Sequence, residues 1–366
     1  MNRLFDHGDA VAAPLDQAAV DAFTMRMGEL LNSAAVALMI SIGHRTSLFD
    51  VMATLPPSTS TEIAAAAKLN ERYVREWLGA MTTGLIVLYD ADHKTYRLPR
   101  EHAAALTRAA TPANIAVPMQ FLPILGSVED DIVRCFREGG GVPYEKYGRF
   151  HEVMAEESAQ SVVYGLIDHA LPLAPGIIAR LEAGIDVLDI GCGRGKAMMH
   201  LAQRFPLSRF AGYDLCIDTV AWATHEAVRL NLTNVRFEQR DLTALGEIER
   251  YDLITAFDAI HDQARPGTVL ANIRRALRPG GTFLMQDIRG SSCVHCDIEN
   301  PIAPFAYTIS CMHCMSVSLS QGGEGLGAMW GQQRARELLA AAGFSDVAVN
   351  QLPHDIQNDW YVARGG

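Results

Sequence analysis

The stretch from Val187 to Gly195, VLDIGCGRG, constrains this chain more than any other. An apolar run with the β-branched residues Ile185, Val187 and Ile190 carries an acid near its end, Asp189. Three glycines follow at alternate positions, Gly191, Gly193 and Gly195, and then Ala197, Met198, Met199 and Leu201 begin a helical pattern. The succession predicts a buried parallel strand, a tight turn and a helix N-terminus, by which an open α/β sheet presents backbone N–H groups to a ligand. Glycine reaches positive φ and lets a ligand lie against bare backbone, and the acid accepts hydrogen bonds from a hydroxyl or ammonium. Dinucleotide-binding turns read GxGxxG. Here the glycines read GxGxG, with an acid two residues ahead.

The flanks narrow the reading. A second strand, FAGYD, ends in Asp214, whose carboxylate is placed to accept both hydroxyls of a ribose, a feature that NAD enzymes share. VRFEQRDL then brings Asp241 and Leu242, YDLITAFDAIHD a fourth strand and its exit, and LRPGG precedes a fifth strand, TFLMQDI. A helix, WGQQRARELLAAAGF, and two strands, SDVAVNQLP and DWYVARGG, close the chain.

This order resembles the class I S-adenosylmethionine-dependent methyltransferases, whose first motif is written DxGxGxG, continuously from Ile185 to Ile288. The resemblance implies an α/β fold: a Rossmann-like seven-stranded methyltransferase sheet, its seventh strand inserted between the fifth and sixth. It implies S-adenosylmethionine as cofactor, held by Asp189, Gly191, Cys192, Gly193 and Gly195, then by Asp214, Leu215, Asp241, Leu242, Phe257 and Asp258. Plant-type small-molecule O-methyltransferases place a catalytic histidine where His261 stands, so the resemblance makes His261 a candidate general base. Asp262 is a candidate to orient its ring, although adjacent residues often face apart. The alternative is that His261 only contacts cofactor or packs the pocket floor.

Ahead of this domain the expectation is an all-helical and winged-helix domain over 1–105 and a helical linker or pocket segment over 106–182. The methyltransferase domain then fills 183–366, with a lid insert at 289–329. The polar start, MNRLFDHGDA, is expected to fray. Phe23, Met27, Leu30, Leu31, Ala34, Ala35, Leu38 and Met39 follow helical spacing in a stretch with few charges, which suits either an intrachain core or a homodimer interface. Thr59 and Glu62 form a capping box, Asn70 caps a second helix, and Ile86–Tyr89 and Thr95–Leu98 make a hairpin around a polar turn. This pattern resembles a winged helix-turn-helix.

Charge speaks against nucleic acid. Six basic residues (Lys68, Arg72, Arg75, Lys94, Arg97, Arg100) meet six acidic ones (Glu62, Glu71, Glu76, Asp90, Asp92, Glu101) between 59 and 105. Glu71 and Glu76 would face phosphates. A whole-chain net charge of −11 repels nucleic acid and anionic membranes alike. The longest apolar run near the start, Ala34–Ile42, is too short to cross a bilayer, and seven cysteines in 366 residues suit a reducing, cytoplasmic setting.

Tyr144, Tyr147 and Phe150 follow the GGGVP break at 139–143 and precede a helix expected over Glu156–Ala170. They read first as a docking surface between domains and second as a wall of the methyl-acceptor pocket. The insert holds Cys293, His295 and Cys296, then Cys311, His313 and Cys314, and a run SLSQGGEGLGAMWG that resembles a stretch in winged-helix-fused methyltransferases. It is expected to be a lid whose His313 and Cys314, with Trp330 and Tyr147, touch the substrate, a small and rather apolar molecule. Two other readings stay open: a zinc site built from Cys293, Cys296, Cys311 and Cys314, and a thiolate site for a metalloid substrate. The competing class for the whole chain is a ligand-sensing regulator whose winged helix binds DNA and whose methyltransferase fold does not catalyse.

Overall fold

A computed structural model describes residues 14–365, so the polar start MNRLFDHGDA lies outside the described residues. The chain divides into two compact units at Ala109/Ala110.

The first unit opens with a 29-residue helix, Gln17–Arg45, capped by the Asp16 side chain. Phe23 (59% exposed), Leu30, Leu31 (72%) and Leu38 lie open on it, and its buried residues cluster at the C-terminal end from Ala37 to His44. The intrachain-core reading of its apolar positions therefore fails for the first half. By length and composition alone this helix could also cross a membrane, which the shorter run Ala34–Ile42 could not. Helices Ser60–Ala67 and Glu71–Thr83 follow. Thr59 and Glu62 bond each other's backbone N–H, and Asn70 caps the second helix as its position predicts. The hairpin of β1 (Leu88–Asp90) and β2 (Thr95–Arg97) is antiparallel and shorter than the sequence suggests. Arg72 pairs with Glu76 and Arg75 with Glu71, so the acids of the second helix neutralise its own arginines.

The second unit is built on seven strands: β3 (Asp186–Ile190), β4 (Arg209–Asp214), β5 (Val235–Gln239), β6 (Tyr251–Phe257), β7 (Leu277–Ile288), β8 (Phe344–Leu352) and β9 (Asp355–Gly365). Their order is β5-β4-β3-β6-β7-β9-β8. The first five run parallel, and β9 enters antiparallel between β7 and β8. Side chains alternate between sheet faces, so each strand feeds two cores. Val187, Leu253 and Leu284 join the cluster on one face, and Leu188, Ile254 and Phe283 that on the other. Continuous apolar runs in the sequence reflect this two-sided burial.

Where a continuous helix was expected over Glu156–Ala170, a helix from Phe150 to Ser158 gives way to two wide π turns, Ala159–Val163 and Leu166–Ala170. A third wide turn, Ser310–Cys314, lies in the insert between helices Ala303–Ile309 and Met315–Ser320. Such turns rotate side chains out of helical register and gather at functional sites. The first and the third of these turns border the cavity described next.

Candidate active site

One cavity of about 500 Å³ opens at the C-terminal ends of β3, β4 and β6, where an open α/β sheet binds its ligands. Every cofactor-side residue expected from sequence lines it, from Asp189 through Gly195, Asp214 and Asp241 to Asp258.

The glycine turn works differently from the expectation. The N–H groups of Gly191 and Cys192 donate to Tyr213 O, at 2.8 and 3.1 Å, and that of Gly195 to Cys192 O at 2.8 Å. Gly193 N–H donates to Asp214 Oδ2 at 2.8 Å. The bonds to Tyr213 and Asp214 hold β3 to β4, that of Gly195 closes the turn on itself, and the open side of the turn is Gly193, where a Cβ would meet nothing within 4 Å. Gly191 and Gly195 have φ of +67° and +66°. A Cβ would stand 2.6 Å from Ala259 Cβ at the first and 2.3 Å from the Phe237 ring at the second. Neither contact is tolerable for a packed side chain.

Asp189 is buried and accepts the Thr255 hydroxyl at 2.6 Å. Burial pushes its pKa up to about 7, against the opposing pull of that hydrogen bond. Asp214 accepts Gly193 N–H on one oxygen and Cys216 N–H on the other, which fixes its carboxylate at the rim. Asp241 caps the short turn after β5 through Thr243 N–H at 2.9 Å.

The opposite wall carries His261, buried at the exit of β6. Its Nδ1 lies 2.7 Å from Asp287 Oδ1, at the end of β7, and the same oxygen accepts the Trp330 indole N–H at 2.9 Å. Asp262 Oδ1 stands 3.2 Å from His261 Nε2. Burial alone would depress the His261 imidazolium, but the Asp287 and Asp262 carboxylates outweigh it and hold its pKa well above the usual histidine range. Asp262 is correspondingly held down to about 2, its burial offset by the imidazolium. The ring is thus oriented first by Asp287, an acid that sequence reasoning missed. Its only signal was its place as the one acid of TFLMQDI, at the end of the strand beside the one that His261 follows.

The insert supplies the rest. His313, in the wide turn, is fully buried and stacks on Phe150 with ring centroids 3.5 Å apart. Neither of its ring nitrogens has a hydrogen-bond partner among the described residues, and Nδ1 stays 3.9 Å from Asp262 Oδ2. Burial drives its pKa down to about 4, so the ring is neutral. Burial likewise pushes the Cys314 thiol up to about 12. His313 and Cys314 line the cavity as expected, but Tyr147 and Trp330 do not. Tyr147 donates its hydroxyl to Met312 O at 2.6 Å and packs edge-on against His313. Trp330 holds Asp287. Tyr147 thus backs the cavity-lining His313, and Trp330 backs Asp287 behind His261.

The aromatic cluster after GGGVP is a pocket wall, through Tyr144 and Phe150. Tyr144 donates its hydroxyl to Asp262 Oδ2 at 3.3 Å. His151 also lines the cavity and was missed, as were Phe121 and Phe305, which with Ile302 and Ile309 form an apolar end. The four-cysteine zinc reading is not assembled. Among the described residues, Cys314 groups with His261 and Asp262, whereas Cys293 and Cys296 group with His295.

Residues 34–108 match the Rv2258c-like winged HTH domain family, and residues 181–343 match the family described as Methyltransferase domain. The fatty-acid O-methyltransferase of Mycolicibacterium smegmatis is 32% identical over 107 residues, which is 29% of this chain and 38% of that protein. The chain thus spans less than half the length of this curated relative. Human N-acetylserotonin methyltransferase in complex with SAM aligns with a TM-score of 0.66 at 15% identity, covering 97% of this chain and 99% of that one. An O-methyltransferase family protein from Burkholderia thailandensis aligns with a TM-score of 0.66 at 15% identity, covering 96% and 99%. At such identity these two likenesses speak for the fold. With the glycine turn, the strand order and both domain matches in agreement, residues 181–343 form a methyltransferase domain of the S-adenosylmethionine-dependent class, and residues 34–108 ahead of it an Rv2258c-like winged-helix domain.

Proposed function

We propose that this protein transfers a methyl group from S-adenosylmethionine to a small, largely apolar acceptor, with His261 as general base. The observation that carries the reading is that His261, held from behind by Asp287, and the glycine turn line one cavity. The open space over Gly193, where a Cβ would meet nothing within 4 Å, fits a nucleoside lying against backbone, and Asp214 and Asp241 stand at the strand ends where ribose and adenine would be held.

The cofactor, when bound, supplies an electrophilic methyl group. The chain's own residues then have three tasks. Phe121, Phe150 and Phe305 exclude water and seat the apolar body of the acceptor. His313 and Asp262 offer hydrogen-bonding positions to its polar end. In the neutral form that it reaches by losing a proton to solvent as pH rises, His261 takes the proton of the attacking group at Nε2, while Nδ1 stays protonated and donates to Asp287. Asp262, held ionised beside His261, favours an acceptor bearing an N–H or O–H over a carboxylate at this end. The apolar end is also compatible with the fatty-acid acceptor named for the mycobacterial relative, and a substrate panel separates the two.

We place the protein in the cytoplasm as a homodimer joined through the open apolar face of helix Gln17–Arg45, with no nucleic-acid partner. Self-neutralised arginines on helix Glu71–Thr83 support the last point against a DNA-binding regulator. Calorimetric titration with S-adenosylmethionine, followed by methyl transfer from labelled cofactor to phenols, amines and fatty acids, tests the reading. Cofactor binding and transfer that His261→Ala abolishes is the expected result. A chain that binds no cofactor but shifts genomic DNA at moderate salt refutes it.

A further inference from the structure

We propose that Cys293, His295 and Cys296 form a zinc site on the surface of the insert, separate from the cavity. The three side chains are brought together without any ion. Cys293 Sγ lies 2.9 Å from His295 Nδ1, and the ligand atoms of all three residues lie within 4.8 Å of one another. Tetrahedral zinc with thiolate and imidazole ligands needs roughly 3.5 Å between ligand atoms, so only small side-chain rotations separate this cluster from a coordination shell.

The backbone underneath is fixed. One helical turn, Val294–Asp297, puts Cys293 and Cys296 three residues apart on the same face, closed by Cys296 N–H and Asp297 N–H donating to Cys293 O at 3.0 and 3.2 Å. The Ser291 hydroxyl accepts Cys293 N–H and donates to Cys293 O. Asp297 accepts Ser291 N–H on one oxygen and the Tyr307 hydroxyl on the other, at 3.1 and 3.0 Å. These bonds staple the turn and keep the nearest carboxylate engaged elsewhere. What remains for an ion is two sulfurs and one imidazole.

That donor set selects the ion. Calcium and magnesium demand oxygen, whereas two thiolates and an imidazole suit zinc and the thiophilic ions near it. Three protein ligands leave a fourth position for water, and the partial exposure of the cluster gives the ion a path in. The site also touches the active-site framework. Ser292, next to Cys293, donates its hydroxyl to Trp330 O, and Trp330 in turn holds Asp287.

The test uses the full chain, reduced, stripped with a chelator and titrated with zinc chloride against a chromophoric competitor. One zinc per chain is expected, with affinity falling at least tenfold in Cys293→Ser, His295→Ala and Cys296→Ser and unchanged in Cys311→Ser. Cobalt(II) in place of zinc gives a thiolate charge-transfer band that Cys296→Ser removes. Circular dichroism and melting of the metal-free variants, matching the wild type, assign the loss to the ligands rather than to unfolding. The proposal is overturned by uptake well below one zinc per chain, or by uptake that Cys296→Ser leaves intact. It is equally overturned by uptake lost in Cys311→Ser, or by a reduced chain whose two thiols only oxidise to a disulfide.

Discussion

His261 and Asp287 stand 26 positions apart in the chain and meet at 2.7 Å, Nδ1 to Oδ1, because β6 and β7 are parallel neighbours whose ends are level. A carboxylate only accepts, so the pairing fixes the proton on Nδ1 and leaves Nε2 to face Asp262 and the cavity. Asp287→Asn removes this orientation. The expected result is a fall in kcat of about 100- to 10,000-fold with cofactor affinity kept within a few-fold, measured by steady-state kinetics beside calorimetry.

The raised pKa of His261 sets the pH dependence. At neutral pH the ring is an imidazolium and cannot take a proton, so kcat should climb as pH rises above the ordinary histidine value of 6.5 and through the elevated folded one. For stability the sign is opposite. The ion pair's contribution is fully present below about 6.5 and is lost as pH rises through the folded pKa. Asp287→Asn should shift the kinetic limb toward lower pH, whereas Trp330→Phe, which strips a hydrogen-bond donor from the Asp287 carboxylate, should shift it by less and toward higher pH. A profile unmoved by either substitution would remove Asp287 from the mechanism.

Gly195→Ala should cost both binding and stability. It places a methyl 2.3 Å from the Phe237 ring and forces alanine to a φ of +66°. The backbone strain alone is worth about 1–3 kcal/mol. Differential scanning fluorimetry should show a lowered Tm, and titration with S-adenosylhomocysteine at least a tenfold weaker Kd.

His313 gives an acid-side signature. Its folded pKa, about 4, lies below the unfolded value of 6.5, so the stability tied to its neutral form is present above 6.5 and is lost as pH falls through 4. The gap corresponds to roughly 3 kcal/mol. His313→Gln should flatten the stability slope between those limits in urea melts.

The open face of helix Gln17–Arg45 yields a solution test. Leu31→Glu, at a position 72% exposed in the single chain, should convert a dimer into a monomer in analytical ultracentrifugation without lowering the Tm of the methyltransferase unit. A wild-type monomer that partitions with lipid vesicles would instead assign the helix to a membrane.

The glycine turn, the acids ending β4 and following β5, the helix caps at Thr59 and Asn70 and the succession of strands and helices were written in local sequence. Such signals depend on backbone geometry and periodicity within a few residues of each other. The turn's own use was not. Only the fold showed that the N–H groups of Gly191, Cys192 and Gly193 are consumed by Tyr213 and Asp214 and are not offered to a ligand. Asp287 behind His261, Tyr144 and His151 on the wall, and the separation of Cys293 and Cys296 from Cys314 were likewise decided by tertiary structure. Each depends on which strand lies beside which and on where a wide turn rotates a side chain. Parallel pairing brings residues together across long sequence separations, and no local pattern records that register.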